Sequence, residues 1–187
     1  VTENHLIALA RAAELNVSAA AIVTGWGSEL ARILQAGGRL LACGNGGSAA
    51  QAQHLTGELV GRFRHDRDPY AAIALHADTS ALTAILNDYG LDEMFARQVR
   101  AHGRAGDVLV AFSTSGSSSN VLAAAKAAQQ IGVTVWALTG PAPNPLAAIA
   151  DDAVVIDAGC TATIQEIHLA LTHGLCLAMD EALGVPT

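Results

Sequence analysis

The chain is poor in aromatic residues and in charge: among 187 residues, 4% are aromatic and 14% are Asp, Glu, Lys or Arg. With 51% of residues hydrophobic, its core must be built from Ala, Val, Leu and Ile, whose small side chains let helices pack closely. So alanine-rich a chain with so few charges tends to hide surface in an oligomer. Basic runs are also missing. The net charge is −7, from 10 Lys+Arg against 17 Asp+Glu, and a nucleic-acid-binding face would need a basic stripe. Nucleic acid is therefore set aside as a partner. The three cysteines, Cys43, Cys160 and Cys176, lie far apart without zinc-ribbon spacing, which fits reduced thiols in a cytoplasm. No apolar run reaches the length of about 18 residues that a membrane span needs. No basic segment leads into an apolar one near the start, so neither a span nor a signal peptide is expected.

What is present points to an α/β protein. Residues 1–187 suit a single domain, with a helical leader over 1–36 and an α/β core over 37–187. In the leader, Leu6, Ile7, Leu9 and Ala10 recur at helical spacing, as do Ile22, Trp26, Leu30 and Ile33. The spacing predicts helix over 3–36, broken at Asn16-Val17-Ser18 with Ser18 as a cap, and ended by Gly37-Gly38. Short, continuously apolar runs at 39–43, 71–75, 108–112, 133–138 and 153–156 read as strands buried on both faces. Helical stretches alternate with them at about 48–63, 79–86, 91–102, 118–131, 144–150 and 163–183. This alternation predicts a doubly wound, flavodoxin-like, five-stranded parallel sheet flanked by helices. Ligands of such sheets sit beyond the carboxyl ends of the strands.

Two segments are placed to turn a strand into a helix there. Gly44-Asn45-Gly46-Gly47-Ser48 follows the first strand, and Ser113-Thr114-Ser115-Gly116-Ser117-Ser118-Ser119-Asn120 follows the third. Unpaired backbone N–H groups, short hydroxyls and the positive end of a helix dipole favour a phosphate or another anion. Small residues also simply make tight turns, but two such turns in one sheet suggest a phosphorylated small molecule.

Beside the first turn, His54 and Glu58 are four apart, about 40° around one helix face and roughly 6 Å along it. An imidazole and a carboxylate aimed at one point can hold a metal or divide acid and base work; a plain surface contact is the ordinary alternative. In the last helix, Glu166 and His173 are almost in register, whereas Gln165 and His173 diverge by about 80°. Geometry alone favours Glu166 as the partner of His173, and a solvent-facing stripe bearing Glu166 and His168 is the competing reading. Asn87-Asp88 closes the helix after the second strand. Arg62 lies one turn beyond Glu58, with Arg64 and Arg67 nearby. His5, His65, His76 and His102 belong to no constellation.

Taken in order, the Gly44–Ser48 turn, His54 with Glu58, Asn87-Asp88, Ser113-Thr114-Ser115-Gly116, and Gln165-Glu166-Ile167-His168 with His173 resemble the phosphoheptose isomerases of the sugar-isomerase (SIS) domain group. The match runs from about residue 37 to 180, and the helical leader fits it. The resemblance implies interconversion of D-sedoheptulose 7-phosphate and D-glycero-D-manno-heptose 7-phosphate through an enediolate, feeding heptose precursors of cell-surface glycans. It implies Glu58 as base, His173 as acid, and one zinc ion per subunit held by His54, Glu58, Gln165 and His173, against the geometric preference for Glu166. Asn45, Gly46, Gly47, Glu58, Arg62, Asn87, Asp88, Ser113, Thr114, Ser115, Ser118 and Gln165 are the implied substrate contacts. A homotetramer with sites at subunit interfaces is implied too. Many members carry an acidic residue and an arginine where this chain has Ala162 and Thr163, which bears on sugar-hydroxyl contacts, anomer choice or rate. Ser48 to His54 also resembles a non-catalytic relative that binds the replication initiator, and a sugar-phosphate-sensing module is a third reading. The scaffold pattern lacks the groups at 58 and 173, and the sensor does not need them; this chain has both.

Overall fold

The computed structural model describes residues 4–186. The expected helix start at Glu3 and the end of the expected tail at Thr187 lie outside those residues. Helix α1 (His5–Leu15) begins at Asn4, whose side chain accepts from the Leu6 N–H at 2.9 Å. Helix α2 (Ala19–Gln35) follows the break at Asn16–Ser18. Ser18 stands at the expected cap position but makes no capping bond. Its backbone is already helical (φ −63°, ψ −24°), and a cap needs an extended backbone to aim its oxygen at the first turn.

The sheet contains β1 (Leu40–Cys43), β2 (Ala72–Ala74), β3 (Val108–Ser113), β4 (Thr134–Thr139) and β5 (Asp152–Val155). Its order is β2-β1-β3-β4-β5, with every neighbouring pair parallel. Helices α3 (Gly47–Val60), α4 (Thr79–Tyr89), α5 (Glu93–His102), α6 (Ser119–Gln130), α7 (Pro145–Ile149) and α8 (Thr161–Ala182) make the crossovers and the final return. Strands β1 and β3 are buried throughout, but β2 and β5 are partly exposed because they form the sheet edges. Helix α3 stops at Val60, short of the expected 63, where the Gly61 N–H closes onto the Gly57 carbonyl at 2.8 Å.

Two apolar layers sandwich the sheet. Residues of α1, α2, α3 and α8 pack on one face, and residues of α4, α5, α6 and α7 on the other. Two tryptophans anchor the first layer despite the scarcity of aromatics. Trp26 and Trp136 stack with ring centroids 5.1 Å apart, and the indole Nε1 of Trp26 donates to Asp152 at 2.7 Å.

Helix α2 can approach α8 closely because residue 27 is glycine. A Cβ there would lie 2.6 Å from Ala178 Cβ and 2.7 Å from the Leu175 carbonyl oxygen. Gly27→Ala is therefore expected to destabilise the protein by about 2 kcal/mol, since the helices must separate and the overpacking exceeds the helix-propensity gain. A lower midpoint of urea unfolding measures it.

No single helix among the described residues is long and apolar enough to cross a membrane.

Candidate functional site

Strand order reverses between β1 and β3, and both small-residue turns leave the sheet at that point. In doubly wound sheets this is where the crossovers diverge to opposite faces and open a crevice. The crevice here is a cavity of about 290 Å³ lined by Asn45, Gly46, Gly47, Ser48, Phe112, Ser113, Thr114, Ser118, Thr161 and Gln165. A larger cleft of about 660 Å³ between α1 and the start of α8 is lined largely by apolar groups of Ala8, Ala12, Leu15 and Ala158. None of the residues of either turn lines it.

Two helices begin at the cavity, and neither α3 nor α6 has a side-chain cap. In α3 the Ser48 and Ala49 N–H groups donate to the Asn45 and Gly46 carbonyls, and in α6 the Val121 N–H donates to Asn120 Oδ1 at 3.0 Å. The attraction for an anion therefore comes from the N–H groups at the very start of each helix and from the positive dipole ends. Gly46 takes φ +54°, a left-handed conformation that a side chain would oppose. Gly47 lies against the Gln165 carboxamide, and a Cβ there would occupy the same space. In the second turn, Ser113 Oγ lies 3.2 Å from Ser118 Oγ and 3.5 Å from Ser115 Oγ. Gly116 takes φ +60°, and the Asn144 side chain fills the space its Cβ would need.

Asn120 and Asn144 received no role from the sequence, yet both build this site. Asn45 Nδ2 donates to Asn120 Oδ1 and Asn120 Nδ2 donates to Asn45 Oδ1, each at 2.9 Å. This reciprocal amide pair ties one turn to the other. Asn144 caps α7 by accepting from the Ala147 N–H at 2.9 Å, and its Nδ2 donates to Thr139 Oγ1 at 3.1 Å. The local signal for Asn144 was a capping residue before Pro145. For Asn120 only its place in the hydroxyl-rich segment could have drawn attention.

Away from the two turns, α3 and α8 bring His54, Glu58 and His173 together, with one ligand atom of each lying within 4.8 Å of the others. His54 Nε2 is 3.1 Å from Glu58 Oε1 and 3.0 Å from His173 Nε2. The ring of Phe63 stacks beside His173 at a centroid distance of 5.8 Å. Two imidazole nitrogens and a carboxylate oxygen facing one point form a donor set that suits zinc. Zinc–ligand bonds of about 2.0–2.1 Å in a tetrahedron would hold such atoms about 3.3 Å apart. The residues present fit that ion.

Glu166 is drawn elsewhere: its Oε1 meets His5 Nε2 on α1 at 2.8 Å. The His5 ring, set outside any constellation by its sequence position, is held by that carboxylate, which raises its pKa through the hydrogen bond and the negative charge. The solvent-facing stripe also fails at His168, which is fully buried, with Nε2 3.0 Å from the Thr139 carbonyl. Burial pushes its pKa down to about 4.

Other expected contacts lie outside the cavity lining. Arg62 donates to the Arg64 carbonyl at 2.7 Å. Asn87 Nδ2 donates to Asp88 Oδ1 at 2.8 Å, both on the last turn of α4 rather than in the turn after it. Thr163, one of the two departures from the family pattern, is buried beside Cys160, its Oγ1 3.3 Å from the Cys160 sulfur.

The SIS domain family profile matches residues 8–140. The chain is 64% identical over 166 residues to a phosphoheptose isomerase of Streptomyces coelicolor, covering 89% of this chain and 72% of that one. Among solved structures, a phosphoheptose isomerase from Neisseria gonorrhoeae superposes with a TM-score of 0.88 at 44% identity, covering 95% of each chain. One from Francisella tularensis gives 0.79 at 34% identity, covering 96% of this chain and 100% of that one. Fold and relatives thus agree, and the chain belongs to the SIS-domain phosphoheptose isomerases.

Proposed function

We propose that this chain is an aldose–ketose isomerase acting on a phosphorylated seven-carbon sugar, and that it interconverts D-sedoheptulose 7-phosphate and D-glycero-D-manno-heptose 7-phosphate. The observation that carries this reading is the pairing of a hydroxyl-lined cavity at the strand-order reversal with an acid–base cluster on the helices α3 and α8. A sensor needs only the first. The non-catalytic scaffold needs neither Glu58 nor His173.

In this reading the phosphate sits on Ser113, Thr114, Ser115 and Ser118 at the start of α6, with Arg62 approaching it. Asn45, Gly46, Gly47 and Gln165 contact the sugar. Glu58 removes the proton beside the carbonyl and returns it to the adjacent carbon, so the carbonyl moves by one position through an enediolate. His173 supplies and accepts the proton on the oxygens. His54, Glu58, Gln165 and His173 would hold one zinc ion per subunit, which when bound polarises the carbonyl and stabilises developing negative charge on oxygen.

We also propose that residues 1–187 act as one SIS unit of a homotetramer in the cytoplasm. Leu6, Ile7, Leu15 and Val17 on and beside α1 are half or more exposed, an apolar surface suited to subunit contact. In this reading Asn87 and Asp88, exposed on α4 and outside the cavity lining, contact substrate in a neighbouring subunit's site. All three cysteines are free, which fits a reducing compartment.

The test is NMR of the purified protein with sedoheptulose 7-phosphate in D₂O, with and without added zinc. Formation of an aldoheptose phosphate with deuterium at the carbon beside the carbonyl is expected. Phosphate-ester binding without turnover in either metal state would refute the reading.

A further inference from the structure

We infer that Arg67 is a positioning residue of the isomerase site, acting with Asp180 to set Glu58 on α3 against His173 on α8. The inference rests on the proposed roles of those two groups.

Arg67 lies in the loop between α3 and β2, and its side chain is only 4% exposed. Its guanidinium grips both helices. Nη2 donates to the carbonyl of Glu58 itself at 2.7 Å, and Nη1 donates to the carbonyl of Leu59 at 3.0 Å. These belong to the last four carbonyls of α3, which have no partner within the helix. On the other side, Nε donates to Asp180 Oδ1 at 2.9 Å, and Asp180 is 3% exposed. Tyr70 completes the setting, with the guanidinium carbon 5.4 Å from its ring centroid.

Asp180 follows His173 by seven residues, so both lie on nearly the same face of α8, about 10 Å apart along its axis. One planar fork therefore bonds the backbone of the candidate base and the helix that carries the candidate acid. At the other end of the cluster, Gln51 on α3 donates its Nε2 to the Gln165 carbonyl on α8. The two ties bracket His54, Glu58 and His173.

A buried ion pair contributes little net stability compared with apolar residues of the same volume, because desolvating both charges offsets their attraction. Its value here is geometric: a displacement of about 1 Å between reacting groups can cost about 10²-fold in rate. Lysine can replace the charge of Arg67 but not its fork, since it offers one compact ammonium.

The test compares wild type, Arg67→Lys, and the double variant Arg67→Met with Asp180→Leu, which removes both charges together. Measurements are kcat and KM for sedoheptulose 7-phosphate, zinc affinity by chelator competition, and the urea midpoint. Both variants are expected to fold, with kcat at least about tenfold lower, KM within about twofold, and zinc bound about tenfold more weakly. Wild-type kcat and zinc affinity in either folded variant would overturn the inference. So would a lower midpoint with unchanged kcat per folded molecule, or failure of both variants to fold; each makes the pair a stability element only. Should the wild type itself lack isomerase activity, the proposed function fails, and zinc affinity still decides whether Arg67 positions the cluster.

Discussion

Glu58→Gln is expected to lower kcat by about 10³-fold while leaving the unfolding midpoint near that of wild type, because general acid–base groups contribute about 10²–10⁴-fold. The amide keeps the shape of the carboxylate but cannot accept the proton taken from carbon. The Glu58 side chain is 18% exposed and meets His54 Nε2 through Oε1, so its loss leaves no deeply buried charge without a partner. Deuterium incorporation is the sharper readout, since it follows proton removal even when product is too scarce to detect. Exchange at the wild-type rate in Glu58→Gln would assign the base elsewhere. His173→Gln gives the companion result, with kcat falling and the phosphate contacts kept, because the hydroxyl turn is built from β3 and α6. Retained turnover in both variants would sink the isomerase mechanism proposed for this site.

The second large effect is on stability and concerns His168. Burial lowers its folded pKa to about 4, from an ordinary histidine value of 6.5. The unfolded state therefore binds the proton first as pH falls. The associated stability is fully present above about pH 6.5 and is lost progressively as pH falls toward about 4. A shift of this size corresponds to about 3 kcal/mol. Only the difference between wild type and a non-titrating variant isolates it, because carboxylates titrate in the same range. His168→Gln can still donate toward the Thr139 carbonyl. Its urea midpoint is expected to fall less steeply than that of wild type between pH 7 and 4.5, and parallel curves would refute the assignment.

The strand–helix alternation was legible because each apolar run has turn residues on both sides, and the helices and strands fall close to their expected ranges. Edge and centre were not separable: Ala71–Leu75 and Val108–Phe112 look alike as strings, and only strand order exposes the former. The i,i+4 spacing of His54 and Glu58 made that pair visible, and the resemblance drew His173 toward it. Helical spacing within α8 pointed instead to Glu166, because periodicity compares residues on one helix and cannot see His5 on another. The Asn45–Asn120 pair and the grip of Arg67 on α3 and α8 were invisible for the same reason. Each joins residues whose proximity exists only after the sheet has formed.

The pairing of β1 with β3 has a kinetic consequence. Leu40 and Val108 are partners across 68 positions of chain, a long loop to close before the contact yields any return. Everything before that seam supplies the glycine turn with His54 and Glu58, while everything after it supplies the hydroxyl turn with Gln165 and His173. A chain whose two halves have formed but not yet docked holds half of the proposed phosphate cradle and half of the proposed proton relay. On those proposed roles, substrate affinity and turnover are expected to emerge together during refolding, at the moment of docking, with a bound sugar phosphate acting as a clasp that favours the joined state over the parted one.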